Sequence, residues 1–138
     1  MRLLRNYDEN DVLAKVLFLY FAFQHGAIGV FFISIDNPEE YSSYFKSMTD
    51  IMPVNHWGLL LILSTVSYMF AAVQEGKLEY KFMLIAGSTG MVTFALLAMA
   101  SIELSQQQTN TVNYILIASI DFVVAILGGV ALWLRKDS

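Results

Sequence analysis

Two ionisable side chains lie inside long apolar stretches of this chain. His25 follows Gln24 in the middle of "LFLYFAFQHGAIGVFF", and Asp121 lies inside "VNYILIASIDFVVAILGGVALWL". An imidazole and a carboxylate can share a proton or pass it on. Within a membrane such groups indicate a functional site by default, because they are costly to leave facing lipid. Whether they could act in this way depends on whether the two stretches cross a bilayer.

The composition favours a membrane protein. Of 138 residues, 57% are apolar and only 14% are charged, whereas soluble domains carry about 25% charged residues. A transmembrane helix needs roughly 20 mostly apolar residues, and suitable stretches occupy 12–35, 57–74, 82–102 and 112–134. We therefore predict an all-α integral membrane protein, a single domain over residues 1–138 with four transmembrane helices in a compact bundle.

The basic residues predict the orientation of these helices. With four spans, Lys46 falls on one side, and the seven other basic residues share the opposite side: Arg2, Arg5, Lys15, Lys77, Lys81, Arg135 and Lys136. Cytoplasmic segments carry the excess of Lys and Arg. The prediction is a multi-pass protein of the cell membrane with both termini in the cytoplasm. Trp57 and Trp133 lie at the ends of apolar stretches and are predicted to anchor the two interfaces.

The longest connection, residues 36–56, has a helical pattern of its own. Asn37 can cap a helix and Pro38 can occupy its first turn, which predicts an amphipathic helix over about 38–51 on the outer surface. Its apolar side chains recur at helical spacing: Tyr41, Tyr44, Phe45, Met48 and Met52. This helix is interpreted as a lid over the ends of the transmembrane helices, or alternatively as a surface for a partner outside the cytoplasm.

His25 and Asp121 lie at nearly the same predicted depth. The first helix centres near Gln24 and the fourth near Val123, and a helix rises 1.5 Å per residue, so Asp121 lies about 3 Å from its helix centre. We predict a contact between His25 and Asp121, with Gln24 as a possible additional partner. Alternatives are a bond from Asp121 to a serine or a backbone carbonyl, and a pair between protomers. The contact could hold helices in register or could handle protons.

Small residues beside these polar positions predict close helix packing, because small side chains let helices approach in lipid. The predicted packing residues are Ala22, Gly26, Gly29, Ala86, Gly90, Ala118, Ala125 and Gly128. An alternative interpretation of Gly87 to Gly90 is an unwound segment that binds a substrate, as in transporters with broken helices.

No residue pattern indicates catalysis. The chain has no cysteine and two histidines, which excludes thiolate chemistry and leaves little for a zinc site. The sequence contains no stripe of basic residues of the kind that nucleic acid binding requires. We therefore expect no enzyme activity, no cofactor and no metal.

The leading functional hypothesis is an interaction protein. It would be an accessory subunit, an immunity or exclusion factor, or a homo-oligomer, whose partners are the lipid bilayer and a membrane protein. The alternatives are a holin-like or channel-forming oligomer, and a small ion- or proton-coupled transporter that uses His25 and Asp121.

Overall fold

The computed structural model describes residues 9–40, 43–102 and 108–135. Within these ranges the chain is helical and contains no strand. The elements are α1 (Glu9–Ser34), a 3-10 turn (Pro38–Glu40), α2 (Ser43–Ile51), α3 (Val54–Val73), α4 (Lys77–Ile102) and α5 (Gln108–Leu134). Among the described residues, four helices are long and apolar enough to cross a membrane, namely α1, α3, α4 and α5. The prediction of an all-helical chain with four long apolar helices, compatible with a transmembrane bundle, is confirmed for the described residues.

The long helices extend beyond the apolar stretches that predicted them. α4 begins at Lys77, five residues before the predicted boundary at Phe82, and α5 begins at Gln108. The length of an apolar stretch corresponds to the part of a helix that lies in the hydrocarbon. The helix itself can be longer, because its backbone hydrogen bonds continue through polar residues that face the headgroups or water. Residues 74–76 alone connect α3 to α4, and Gly76 makes the turn with φ of 70°, a conformation that glycine adopts at little cost.

The central pair of the bundle consists of α3 and α4. α1 packs along α3 and α5 packs along α4, whereas the backbones of α1 and α5 do not pack side by side. Glycines bring the paired helices close together. A Cβ atom on Gly58 would lie 2.8 Å from the carbonyl oxygen of Gly29, and one on Gly128 would lie 2.8 Å from that of Tyr80. These distances are below van der Waals contact, so both positions require glycine.

The apolar core has two layers, which lie on either side of the depth of His25 and Asp121. The layer near α2 contains Phe32, Tyr44, Met48, Val54, Trp57, Leu61, Phe94, Leu97, Ala100 and Ala118. The layer near the α3–α4 turn contains Phe18, Ala22, Tyr68, Ala71, Ala72, Met83, Ala86 and Val124. Dispersion contacts within these layers hold the helices together, since lipid supplies no hydrophobic driving force between them.

The short helix α2 covers one end of the bundle with its apolar face. Tyr44 and Met48 are buried and Met52 is half-buried, while the indole N–H of Trp57 donates to the carbonyl oxygens of Met52 (2.8 Å) and Met48 (3.3 Å). Phe45 packs against the rings of α1 and is also half-buried. Tyr41 lies outside the described residues. This geometry fits the lid interpretation for the four described residues.

Trp57 is not an interface anchor. It is 0% exposed beneath α2, whereas Trp133 is 69% exposed. Both tryptophans lie at helix ends in the sequence, but α2 covers Trp57 and leaves Trp133 exposed. Burial, together with the neighbouring Tyr114, raises the pKa of the Tyr44 phenol on the inner face of α2 above its ordinary value, so this hydroxyl stays protonated.

Candidate functional site

The structure brings His25 of α1 and Asp121 of α5 together in the middle of the bundle. A hydrogen bond of 3.0 Å joins His25 Nε2 to Asp121 Oδ2, and both side chains are 0% exposed. The partners are 96 residues apart in sequence. The two side chains can contact each other within one protomer because they lie at the same depth along their helices and because each helix is rotated so that its polar residue faces the bundle interior.

The second ring nitrogen of His25 is held by its own helix. His25 Nδ1 lies 2.8 Å from the carbonyl oxygen of Phe21, four residues earlier. A carbonyl oxygen can only accept a hydrogen bond, so Nδ1 must carry a proton. This bond fixes the orientation of the imidazole and directs Nε2 away from α1 toward α5.

Tyr68 of α3 completes the site. Its hydroxyl donates to Asp121 Oδ1 at 2.5 Å, and its side chain is also 0% exposed. We call His25, Tyr68 and Asp121 the polar cluster. Three helices therefore contribute one side chain each, and every polar atom of these side chains has a hydrogen-bond partner, as buried polar groups in lipid require.

The sequence pattern did not single out Tyr68. A second tyrosine, Tyr20, also lies well inside an apolar stretch, and the structure leaves it 59% exposed toward the lipid side. The available signal was spacing, because Leu61, Ser64, Tyr68 and Ala71 fall on one face of α3 and are all buried. That spacing places Tyr68 on a packed face but does not identify its partner.

Aromatic rings and a glycine enclose the polar cluster. The ring of Phe94 meets the His25 imidazole edge to face at 5.0 Å, and the Tyr68 ring lies 5.4 Å from it. Gly90 provides the remaining space, since a Cβ atom there would lie 2.9 Å from His25 Nε2 and still closer to the Asp121 carboxyl group. α4 therefore contributes an apolar wall and no polar group to the cluster.

The hydrogen bonds set the proton content of the cluster. Nδ1 and the Tyr68 hydroxyl each donate to an oxygen, so the bond between Nε2 and Oδ2 needs one further proton. That proton can lie on the imidazole, beside a carboxylate, or on the carboxyl group, beside a neutral imidazole. Both arrangements have a net charge of zero. Without this proton, two lone pairs would face each other at 3.0 Å.

Gln24, the predicted additional partner, lies beside the cluster without joining it. Its side chain is half-buried, and no hydrogen bond among the described residues connects it to His25 or Asp121. Consecutive helical residues point about 100° apart, so the rotation that directs His25 into the bundle turns Gln24 aside.

The predicted packing residues lie at helix interfaces. The residues of α1 that lie along α3 are Ala22, Gly26 and Gly29. A Cβ atom added to Gly26 would lie 3.2 Å from Thr65 Cγ2. On the other helices, Ala86 is fully buried and its carbonyl accepts a 2.9 Å bond from the Ser64 hydroxyl. The remaining positions lie between α4 and α5 or next to the cluster: Gly90, Ala118, Ala125 and Gly128.

The unwound-segment interpretation of residues 87–90 is wrong. α4 continues as regular helix through this segment, from Lys77 to Ile102. Gly87 is needed for a different reason, because a Cβ there would lie 2.6 Å from the backbone nitrogen of Ala125. The glycines of "AGSTG" thus let α5 approach α4 rather than open the helix.

Two shallow grooves lie on the lipid-facing surface, away from the polar cluster. The α1–α3 groove is lined by Leu19, Ala22, Phe23, Gly26, Ala27, Val30, Thr65 and Met69. The α4–α5 groove is lined by Met91, Ala95, Ala98, Met99, Ile102, Ile115, Ala118, Ser119 and Phe122. No member of the polar cluster lines either groove.

Within the described residues, no three histidine, aspartate or glutamate side chains come together in a way that could hold a metal ion. Comparison of the chain with protein-family models, with curated proteins and with solved structures found no match. The functional proposal therefore depends on the geometry of the chain itself.

Proposed function

We propose that this chain is a small membrane-embedded interaction protein that associates with further copies of itself or with another membrane protein. In the cell it would serve as an accessory subunit, an immunity or exclusion factor, or an oligomeric membrane component. The supporting observation is that the polar cluster is fully buried and bonded internally. The groups that transport would use are thus occupied in holding helices together.

The surface that remains for function is the lipid-facing side of the long helices. Helices associate in lipid through close packing at small residues, and each groove has such a residue exposed in its lining, Ala27 in one and Ala95 in the other. The apolar face of α2 is less suited to binding, because Tyr44 and Met48 are already buried against the bundle.

The proposed location is the cell membrane, with both termini in the cytoplasm. The described cations support this orientation. Lys77, Lys81 and Arg135 lie at the end of the bundle that contains the α3–α4 turn, and Lys46 lies at the α2 end. The positive-inside rule then assigns the turn to the cytoplasm.

The first test is the mass of the protein in a mild detergent, measured by native mass spectrometry on the full chain. We expect assemblies larger than the 15.5 kDa monomer. Leucine at Ala27 or at Ala95 would fill a groove, and at least one of these variants should shift the population toward monomer. Ala131→Leu is the matched control, since this half-buried position lines neither groove. A monodisperse monomer without a membrane-protein partner contradicts the proposal.

A second measurement addresses transport. Purified protein in liposomes should leave an imposed proton gradient intact, because the polar cluster is enclosed by Phe94, Tyr68 and the backbone at Gly90. A proton leak that Asp121→Asn abolishes would overturn the proposal in favour of a channel or a proton-coupled transporter.

A further inference from the structure

The hydrogen bond from His25 to Asp121 joins two helices whose backbones do not pack together. α1 is attached to the bundle through α3, and α5 through α4. The apolar spans of α1 and α5 are each 28% buried, compared with 44% for α3 and α4. Because each outer helix packs on its own neighbour, α1 and α5 can move apart without losing that packing.

The hydrogen bond between His25 and Asp121 depends on one proton. No neighbouring group can supply another proton to this bond if that one is lost. The titratable groups that face His25 are Tyr68 from α3 and Asp121 from α5, while α4 presents Gly90 and Phe94. The Tyr68 hydroxyl already donates to the other carboxylate oxygen. Among the described residues, no cation faces the cluster. If the shared proton leaves to water, a negative charge and two opposed lone pairs stay buried.

We propose that the contact between His25 and Asp121 is a binding site for a single proton, and that removal of this proton releases α1 from α5. The buried negative charge is stabilised only when water reaches it. Water reaches it when the two outer helices separate, each still attached to its own neighbour. The bundle then has a proton-bound closed state and a proton-free open state, whether or not the chain associates with other copies.

Asp121→Asn keeps the hydrogen bond between α1 and α5 but removes the proton on which that bond depends. The asparagine amide can donate to Nε2 of a neutral His25, and its carbonyl oxygen can accept from the Tyr68 hydroxyl. Nδ1 keeps its bond to Phe21. Every hydrogen bond is preserved, but no proton remains that water could remove, so the variant should stay closed as the pH is raised.

The experiment measures the distance between α1 and α5 in lipid nanodiscs. Because the chain has no cysteine, spin labels can be placed at Phe23→Cys and Val123→Cys, two lipid-facing positions. As the pH is raised, the distance distribution should lengthen and broaden with Asp121 present and stay unchanged with Asp121→Asn. A second pair on the central helices, Leu63→Cys with Val92→Cys, should give a constant distance in both backgrounds.

Two results overturn the proposal: a distance that does not change with pH, and a change that occurs equally in the Asp121→Asn background. The protonation of His25 is an independent measurement that needs no change at Asp121. In ¹⁵N-histidine-labelled protein with His56→Gln, Nδ1 should keep its proton while the Nε2 signal shifts, as the proton shared with Asp121 leaves, over the pH range in which the helices separate. An Nε2 signal that is constant over that range also overturns the proposal.

Discussion

At the scale of single residues, Gly90 is as important to the polar cluster as the side chains that bond within it. The space that a Cβ atom would fill at this position is occupied by the Asp121 carboxyl group and by His25 Nε2. Asp121 is thus accommodated only because α4 has no side chain there. The cost of an aspartate near the middle of a membrane, about 2.5–3.5 kcal/mol on insertion scales, is offset only while its two hydrogen bonds can form.

Gly90→Ala should therefore destabilise the bundle. Forcing a methyl group into a filled site costs about 1–3 kcal/mol, and the displaced carboxyl group would also lose its bond to His25. The free energy of unfolding in bicelles measures the effect. Gly129→Ala is the control on α5, since its Cβ would meet only Leu84 Cδ1 at 3.7 Å. Equal stability of the two variants would show that Gly90 does not shape the cluster.

At the scale of elements, α2 is held by one side chain of the following helix. The Trp57 indole donates to backbone oxygens at the end of α2, and its ring fills the core layer beneath the lid. Pro53 precedes α3 and separates it from α2. The lid and the first turn of α3 are thus connected by Trp57 as well as by the chain.

Trp57→Phe should loosen α2 while the long helices stay folded. Phenylalanine retains much of the ring packing but cannot donate to Met48 and Met52, a loss of about 0.5–1.5 kcal/mol. Amide hydrogen exchange in α2 should then be faster by about 2- to 13-fold, and exchange in the middle of α4 should not change. Trp133→Phe, at an exposed position, should leave α2 exchange as it is. Unchanged exchange in the Trp57 variant would mean that ring packing alone holds the lid.

At the scale of the whole molecule, α2 and the α3–α4 turn lie at opposite ends of the bundle. α3 joins them with 20 residues, or about 30 Å of helix, which matches the hydrocarbon thickness of a typical bilayer. The two ends should therefore face opposite sides of the membrane, and the distribution of lysine and arginine predicts which side each end faces.

Cysteine labelling in intact cells tests this orientation. Lys46→Cys on α2 should react with a membrane-impermeant maleimide, and Lys77→Cys at the start of α4 should react only after the membrane is permeabilised. Both side chains are exposed, so each variant controls for the reactivity of the other. The reverse pattern would place the termini outside, and labelling of both residues in intact cells would contradict a four-span topology.

Properties that depend on short segments were determined by the sequence alone. The lengths of the apolar stretches predicted the long helices, because hydrocarbon thickness and backbone hydrogen bonding constrain each span separately. The depth of His25 and Asp121 followed from the constant rise of a helix. The helix starts at Lys77 and Gln108 could not be predicted in this way, because polar residues continue a helix outside the hydrocarbon.

Only the tertiary structure decided which faces meet. The rotation of each helix about its axis depends on all of its neighbours, so the sequence could not choose Tyr68 over Tyr20 as the third member of the cluster. The same dependence turned Gln24 away from Asp121, buried Trp57 under α2, and kept the backbones of α1 and α5 apart while joining them through one hydrogen bond. Depth is set within one helix, whereas contact requires the arrangement of the whole bundle.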